Sequence, residues 1–537
     1  MLQRRALRPL TRSIRPASAA YKDVRWAPLT SIRKCSCSGP RPSPSPPHLN
    51  TTTKPPPTPP ADHRTLGTEQ ELFTTSLYSP GSPLFLPNGA RIFNKLLAFL
   101  RAQYTLFGFQ EVLTPTIYKR SLWQKSGHWV NYKDDMFEVH GRGATGTKEN
   151  AEIGEDEEYG LKPMNCPGHC LLFKSQARSY KDLPIRYADF SPLHRNEVSG
   201  ALSGLTRVRR FHQDDGHIFC RPGQIAEEIS RTLQFVAMVY DTFKLGPYKL
   251  VLSTRPEHHY IGTVAEWDRA EAQLTHALDS SGQTWTLNPG DGAFYGPKID
   301  IILTDSDGKE HQTATIQLDF QLPQLFKLEY MAPAPALEAK GTGILSSADD
   351  AAKARPGLVA PVIIHRAVFG SLERFMALLI EHHRGHWPFW LSPRQAIIVS
   401  VSSQVPDLAD AVRNQAQALS GGLASRTTGN EDGDGAMIRP RPLDEPVFFV
   451  DHDVTRRSLA KKISDAKRLR YSLILVRGKR NLEEGTVDAD VSGQPDAEAT
   501  RRVLEEVLGT EVGDLRKVTL ECGKVGELMR RLTRAYL

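Results

Sequence analysis

Between Pro40 and Pro60 the chain reads PRPSPSPPHLN and then, after three threonines, KPPPTPP. Proline fixes φ and has no backbone N–H, so this density forbids helix and cannot feed a sheet ladder. The segment reads as an extended, unpacked linker. It separates a leader from a folded part that should begin near Asp62 to Gly67. In the leader, Arg4, Arg5, Arg8, Arg12 and Arg15 recur with Leu2, Leu7, Leu10 and Ile14 between them, and Asp23 is the only acid before residue 60. Basic, Ser-containing and acid-poor is the composition of a mitochondrial transit peptide. A secretory signal would need a continuous apolar stretch, which the leader lacks. The bland alternative is a disordered basic arm that binds RNA.

The full length of 537 residues exceeds one ordinary core, so two or three domains are expected. With 39% apolar and 24% charged residues the balance is that of a soluble globular protein. The longest apolar region, from Val362 to Ile380, is broken by His365, Arg366, Glu373 and Arg374, so no membrane association is expected. The net charge of +7 suits a polyanionic partner. Six cysteines are sparse for a disulfide framework and fit a reduced compartment.

Asn88 to Gln103 carries apolar residues at helical spacing, and a turn at Gly108 leads into a strand that stops at Pro115. Glu138 to Tyr159 is Gly- and acid-rich and reads as an exposed insertion. Ile185 to Phe190, Arg207 to His212, His217 to Cys220, Leu250 to Ser253, Ala314 to Asp319 and Val362 to Ile364 read as strands. Gln224 to Phe243 reads as a helix, and Ala332 to Gly357 as a surface loop. The texture changes at Pro393. Strand-like AIIVSVS (Ala396 to Ser402), helix Asp407 to Leu419, strand Val447 to Asp451, helix Ser458 to Arg468 and strand Ser472 to Gly478 alternate. That pattern predicts a small α/β domain with both sheet faces covered. The fold class is α+β, with boundaries at 1–60, 61–392 and 393–537.

Several constellations could carry chemistry. Alternation puts Arg207, Arg209 and Phe211 on one strand face, where guanidinium groups beside an aromatic ring could clamp a phosphate and stack on a base. A solvated basic strand pair is the competing reading. GDGAFYGPKID (Gly290 to Asp300) makes a tight turn beside a pocket, but it has neither a Walker A order nor a dinucleotide fingerprint. CPGHC (Cys166 to Cys170) and His382, His383 and His386 are ambiguous as metal sites, because neither has a confident zinc spacing. A buried small apolar Cys166 and a polar helix end are the bland alternatives.

Taken together and in order, these strings resemble the class II threonyl-tRNA synthetases. The carrying residues are SGHW (Ser126 to Trp129), LKPMNCPGH (Leu161 to His169), SYKDLPIR (Ser179 to Arg186), HRNEVSGALSGLTRVRRFHQDDGHIFC (His194 to Cys220), GAFYGPKID, TIQLDFQLP (Thr315 to Pro323) and IHRAVFGSLERF (Ile364 to Phe375). The resemblance covers roughly residues 64 to 535. It implies an antiparallel catalytic sheet flanked by helices, followed by an α/β anticodon-binding domain. GFQEVLTP, ending at Pro115, matches the motif that usually builds a homodimer interface. His194 to Arg209 matches the strand–loop–strand motif, and Gly370 to Arg374 the last one.

The resemblance implies roles residue by residue. Arg195 should grip the α-phosphate of ATP and Arg374 the γ-phosphate, two fixed forks stabilising an in-line displacement. Glu197 and Phe211 should orient and stack the adenine, and Arg207 and Gln312 should add nucleotide contacts, with Mg²⁺ accompanying the phosphates. Zinc should sit on Cys166, His217 and His365, whose three donors leave open positions for the amino and hydroxyl groups of threonine. Gln213, Asp215, Tyr295, Lys298 and Gln317 should complete the threonine pocket. A site that demands a hydroxyl rejects valine far better than an apolar pocket does, whereas serine differs by one methyl. Many family members edit seryl-tRNA with a large N-terminal domain; only leader and linker precede the core here, so no editing in cis is expected. SLAKKISDAKRLRYSLILVRG carries the anticodon-domain resemblance, and Lys461, Lys462, Lys467, Arg468 and Arg470 form a basic cluster for tRNA(Thr) phosphates. Gly421 to Pro446 and Val491 to Asp496 depart from the pattern. The implied setting is the mitochondrial matrix. The competing readings are the related prolyl enzyme, which has no hydroxyl for a metal to hold, a non-catalytic paralogue, and a structural zinc protein.

Overall fold

The large sheet takes its two-sided character directly from the alternation of its strands. In the computed structural model, residues 61–537 are described apart from 141–157, 259, 305–307, 339–355, 403, 422–426, 429–436, 439 and 443. The leader and the proline segment lie outside the described residues. Helix α1 (His63–Glu69) is followed by α2 (Pro87–Leu106), which begins on a proline at its first turn and buries Ile92, Leu96, Phe99 and Leu100 along one stripe.

Eight strands then form one sheet: β1 (Gln110–Glu111), β2 (Ile185–Asp189), β5 (Asp215–Cys220), β6 (Tyr248–Ser253), β7 (Trp285–Asn288), β8 (Lys298–Thr304), β9 (Glu310–Asp319) and β10 (Val362–Ala367). Helix α3 (Cys166–Lys174) lies between β1 and β2 in the chain, and a separate hairpin pairs β3 (Pro192–His194) with β4 (Arg210–His212). The strand order is β7-β6-β8-β9-β10-β5-β2-β1. The sheet is antiparallel except for the pairs at its two edges, β6 with β7 and β1 with β2. Ile299, Ile301, Ala314, Ile316, Leu318, Ile364 and Ile218 face a shared core with α2, α4 (Ile225–Thr242), α5 (Val264–Ser280) and α6 (Leu372–His382). The intervening residues point to the opposite face, which carries the polar side chains.

A second sheet takes the order β12 (Val450–Asp453), β11 (Ala396–Ser400), β13 (Leu473–Arg477), β14 (Thr486–Asp490), β15 (Val518–Glu521). Its first three strands are parallel and the rest antiparallel. Helices α7 (Pro406–Ser420), α9 (Ala497–Leu508) and α10 (Cys522–Arg534) cover one face, and α8 (Leu459–Arg468) the other through Ala466 against Ile397 and Val399. Trp390 and Leu391 belong to the first core, while Phe389 and Ala396 belong to the second. Among the described residues no helix is long and apolar enough to cross a membrane.

Five expectations need correction. Arg207 to Arg209 are not a strand: Arg207 closes the 204–206 turn in an isolated bridge to Ser203 (N–H to carbonyl, 3.2 Å), and β4 starts only at Arg210. The strand expected from Val447 starts at Val450. The ends of the expected insertion, Glu138–Val139 and Tyr159–Leu161, pair in a small sheet with Ile117–Lys119, while 141–157 lie outside the described residues. Lys462 is not part of an exposed basic face. It is 1% exposed, and its ammonium donates to the Ser400 carbonyl (2.9 Å) and the Asp453 carbonyl (3.2 Å). The loop expected at Ala332 to Gly357 contains a short helix, Pro335–Glu338, and its residues 339–355 also lie outside the described set.

Candidate active site

Register lines up the polar face. Across four strands Lys298 pairs with Gln317, Gln317 with His365 and His365 with His217, so side chains distant in sequence form one row. Asp215 lies two residues before His217 and shares its face. Between Ile301 and Ile302 of β8 the register against β9 shifts, because Ile301 faces Ala314 and Ile302 faces Gln312. This bulge at Thr313 lets Gln312 and Thr315 both reach the same oxygen, Oδ1 of Asp300. The turn before β8 packs against β9 so closely that a Cβ on Gly296 would lie 1.7 Å from the Leu318 carbonyl oxygen, which fixes glycine there.

Two adjoining cavities open on this face. The first, of about 800 Å³, is lined by Arg195, Glu197, Arg207, Phe211, Gln312 and Arg374. The Arg195 guanidinium lies 5.0 Å from the centre of the Phe211 ring. Arg374 is held by the Thr206 carbonyl (Nε, 3.1 Å) and the Gln312 carbonyl (3.2 Å). Its pKa is lowered, first by burial and then by the like charges of Arg195 and Arg207. Three converging guanidinium groups with one carboxylate nearby make an unfilled demand for anionic charge. That carboxylate is Glu197, which Arg207 contacts at 2.8 Å. Arg209 does not join them: its Nε donates to the Glu197 carbonyl at 2.8 Å.

The second cavity, of about 1540 Å³, shares Arg195, Gln213 and Gln317 with the first and adds Cys166, Asp215, His217, Tyr295, Lys298 and His365. The Tyr295 hydroxyl donates to the Gln317 side-chain carbonyl. Asp215 accepts from the Asn165 backbone (3.3 Å) and side chain (3.1 Å), and burial pushes its carboxyl up to about 6. Lys298 sits between Asp300 (3.0 Å) and Asp291 (3.1 Å). Burial alone would lower its pKa, but the two carboxylates outweigh that and its pKa is raised. Asp300 also shifts upward, because its burial outweighs the ammonium. We take the pair as charged, since four donors (Lys298, Ser253, Gln312 and Thr315) converge on the Asp300 oxygens.

Cys166 Sγ and one nitrogen each of His217 and His365 lie within 4.8 Å of one another, all buried. His365 Nε2 is 2.8 Å from Asp319 Oδ2, so Nε2–H donates to the carboxylate and the Nδ1 lone pair turns inward. There His217 Nε2 meets it at 2.9 Å, and the other nitrogen of His217 is 2.8 Å from His169 Nδ1. Burial lowers the His217 pKa well below the ordinary value, which keeps the imidazole in its ligating form. One sulfur and two inward nitrogens with outer partners are a donor set that fits a zinc-like cation. By contrast, His382 and His383 only stack edge to face (4.9 Å) at a helix end, and Cys170 is buried in an apolar cluster.

Every residue to which the family resemblance gave a nucleotide, threonine or metal role thus lines one of these two cavities. Asp300, Asn165 and Asp319, which hold them in place, were not singled out from sequence, and His169 stood out only as a metal candidate within CPGHC, whereas it partners His217. Asp300 was detectable: it stands two residues after Lys298 on the same strand face.

The large antiparallel sheet with paired arginines on its polar face is the architecture of a class II tRNA synthetase core. Residues 150–338 match the family described as "tRNA synthetase class II core domain (G, H, P, S and T)". The chain is 47% identical to the "Probable threonine--tRNA ligase, mitochondrial" of Schizosaccharomyces pombe over 454 residues, covering 84% of this chain and 88% of that one. It is 46% identical to the "Threonine--tRNA ligase, mitochondrial" of Saccharomyces cerevisiae, covering 77% and 83%. A crystal structure titled as the RNA binding domain of threonyl-tRNA synthetase from Cryptosporidium parvum Iowa II superposes with a TM-score of 0.70 at 39% identity, covering 88% of this chain and 98% of that one. The chain belongs to the threonine–tRNA ligase family.

Proposed function

We propose that the chain activates threonine with ATP and transfers it to a threonine-accepting tRNA in mitochondria. The observation that carries this is the adjoining pair of cavities: guanidinium groups line one, and a Cys/His/His donor set lines the other. In the first, Arg195 would hold the α-phosphate, where charge builds as the threonine carboxylate attacks, and Arg374 the γ-phosphate. Glu197 would orient the adenine, Phe211 would stack on it, and Arg207 and Gln312 would add contacts. ATP would enter with Mg²⁺ on its phosphates.

Cys166, His217 and His365 would hold zinc, which when bound supplies a Lewis acid that ligates the amino and hydroxyl groups of threonine. Asp215 and Gln213 would receive the amino group, and Tyr295, Lys298 and Gln317 would close the pocket around the side chain and carboxylate. The hydroxyl requirement makes valine a poor substrate. We assign 1–60 as presequence and linker, 61–392 as the catalytic domain and 393–537 as the anticodon-binding domain, with a homodimer as the working assembly. Exposed Leu113, within the expected interface motif, and Ile117, two residues past it, suit burial against a second copy.

Charging of mitochondrial tRNA by the purified chain tests the reading. Threonine should accumulate on tRNA in an ATP-dependent manner. Acceptance of proline instead, or no charging by folded, zinc-loaded protein, would overturn it.

A further inference from the structure

We propose that His63, outside both cavities, is a positioning residue for nucleotide binding: its neutral imidazole ties the loop under the ATP pocket to the helix that carries Arg374. This rests on the ATP assignment above. His63 is 5% exposed. Its Nε2 lies 3.1 Å from the backbone nitrogen of Leu205. An N–H can only donate, so Nε2 must be the accepting nitrogen and the ring proton sits on Nδ1. Nδ1 is 2.7 Å from Glu381 Oε1, which also accepts from the His63 backbone at 3.2 Å. Asp62, His63 and Glu381 cluster as metal ligands might, but both ring nitrogens already have partners, so the geometry is that of a brace.

The brace reaches the loop where it matters. Leu205 is fully buried, and the next residue, Thr206, offers its carbonyl to Arg374 Nε at 3.1 Å. Thr206 and Arg207 line the guanidinium-rich cavity. Glu381 and Arg374 lie seven residues apart on α6, two turns along one face. The loop is therefore pinned to the same helix at two points, through His63 and through Arg374. Gly204 makes the approach possible: its φ is +48°, and a Cβ there would lie 2.2 Å from His63 Nε2.

Two substitutions separate positioning from bulk stability. In His63→Asn the short amide can still donate to Glu381, but nothing reaches the Leu205 N–H. In His63→Gln the longer side chain can return a carbonyl oxygen to the place of Nε2. Threonine-dependent ATP–pyrophosphate exchange on the full chain should show KM for ATP raised about tenfold in H63N, the size expected when a buried N–H loses its acceptor. KM for threonine and kcat should stay within about twofold, and H63Q should recover most of the ATP affinity. The proposal is overturned if H63N leaves KM for ATP unchanged. It is equally overturned if all parameters fall together with the melting temperature, or if H63Q is as impaired as H63N. Absence of exchange in the unaltered chain would sink the ATP reading itself.

Discussion

Replacing Asp300 by asparagine should impair threonine and ATP binding together. The carboxylate is 4% exposed, and its two oxygens receive Lys298 (3.0 Å), Ser253 (3.2 Å), Thr315 (3.1 Å) and Gln312. Lys298 belongs to the proposed threonine pocket and Gln312 to the proposed nucleotide pocket, so one carboxylate sets both. Asparagine keeps the shape but removes the charge and turns an NH₂ group towards donors. A charge-assisted hydrogen bond contributes about 1.5–3 kcal/mol. Lys298 keeps Asp291, but that carboxylate is 60% exposed and screened, so it offsets little. A loss of about 2–3 kcal/mol predicts a fall of roughly 30- to 150-fold in kcat/KM for each substrate. ATP–pyrophosphate exchange, run with each substrate varied in turn, measures both. Asp291→Asn is the control and should stay within about threefold. The reasoning is refuted if D300N affects one substrate only, or if D291N is equally severe.

Three further outcomes follow from the structure. Cys166→Ser should lower the zinc content of the purified protein and raise KM for threonine by more than about tenfold, while KM for ATP changes little; metal analysis and exchange kinetics read both. Lys462→Met should lower stability by about 1–3 kcal/mol, because the Ser400 and Asp453 carbonyls lose their buried donor. Lys461→Ala should leave stability unchanged and weaken tRNA binding slightly, so urea unfolding and charging kinetics at varied tRNA separate the two lysines. Burial pushes Asp214 up to about 6, with Tyr104 and the Val368 and Phe369 N–H groups donating to it. A folded-state pKa above the unfolded one favours folding at low pH, and that contribution fades as pH rises through about 6. Asp214→Asn should therefore remove a component of stability that declines between about pH 4 and 6; equal pH dependence of the melting temperature in variant and parent would contradict this.

Much of the fold was legible because burial imposes periods on the sequence. The stripe of Ile92, Leu96, Phe99 and Leu100 specified α2, and the β11–α7–β12–α8–β13 alternation specified the three parallel strands of the second sheet but not its antiparallel β14 and β15. The reading failed where side chains answer to distant partners. Arg207, Arg209 and Phe211 alternate like a strand, but Arg209 N–H donates to the Gly81 carbonyl (2.6 Å) and Arg207 pairs with Glu197, so the strand starts only at Arg210. Lys462 sits among exposed basic residues in sequence, yet α8 rotates it inward over Ser400.

The Cys/His/His set shows the same limit. Cys166, His217 and His365 have no local spacing that speaks of a metal, and the pairing of His217 with His365 exists only once β5 and β10 are in register. Resemblance to a family put these three residues together; periodicity could not. The bulge that brings Gln312 beside Asp300 leaves no local signature of its own, and His63 reaches Leu205 across 142 positions of chain.

The most direct test of the central claim is amino-acid-dependent ATP–pyrophosphate exchange by the purified chain with threonine, serine, valine and proline, each with and without a zinc chelator. The account predicts strong exchange with threonine, weaker exchange with serine, none with valine or proline, and loss of all exchange when zinc is removed. Exchange with valine or proline, or threonine-dependent exchange that survives complete removal of zinc, would contradict it.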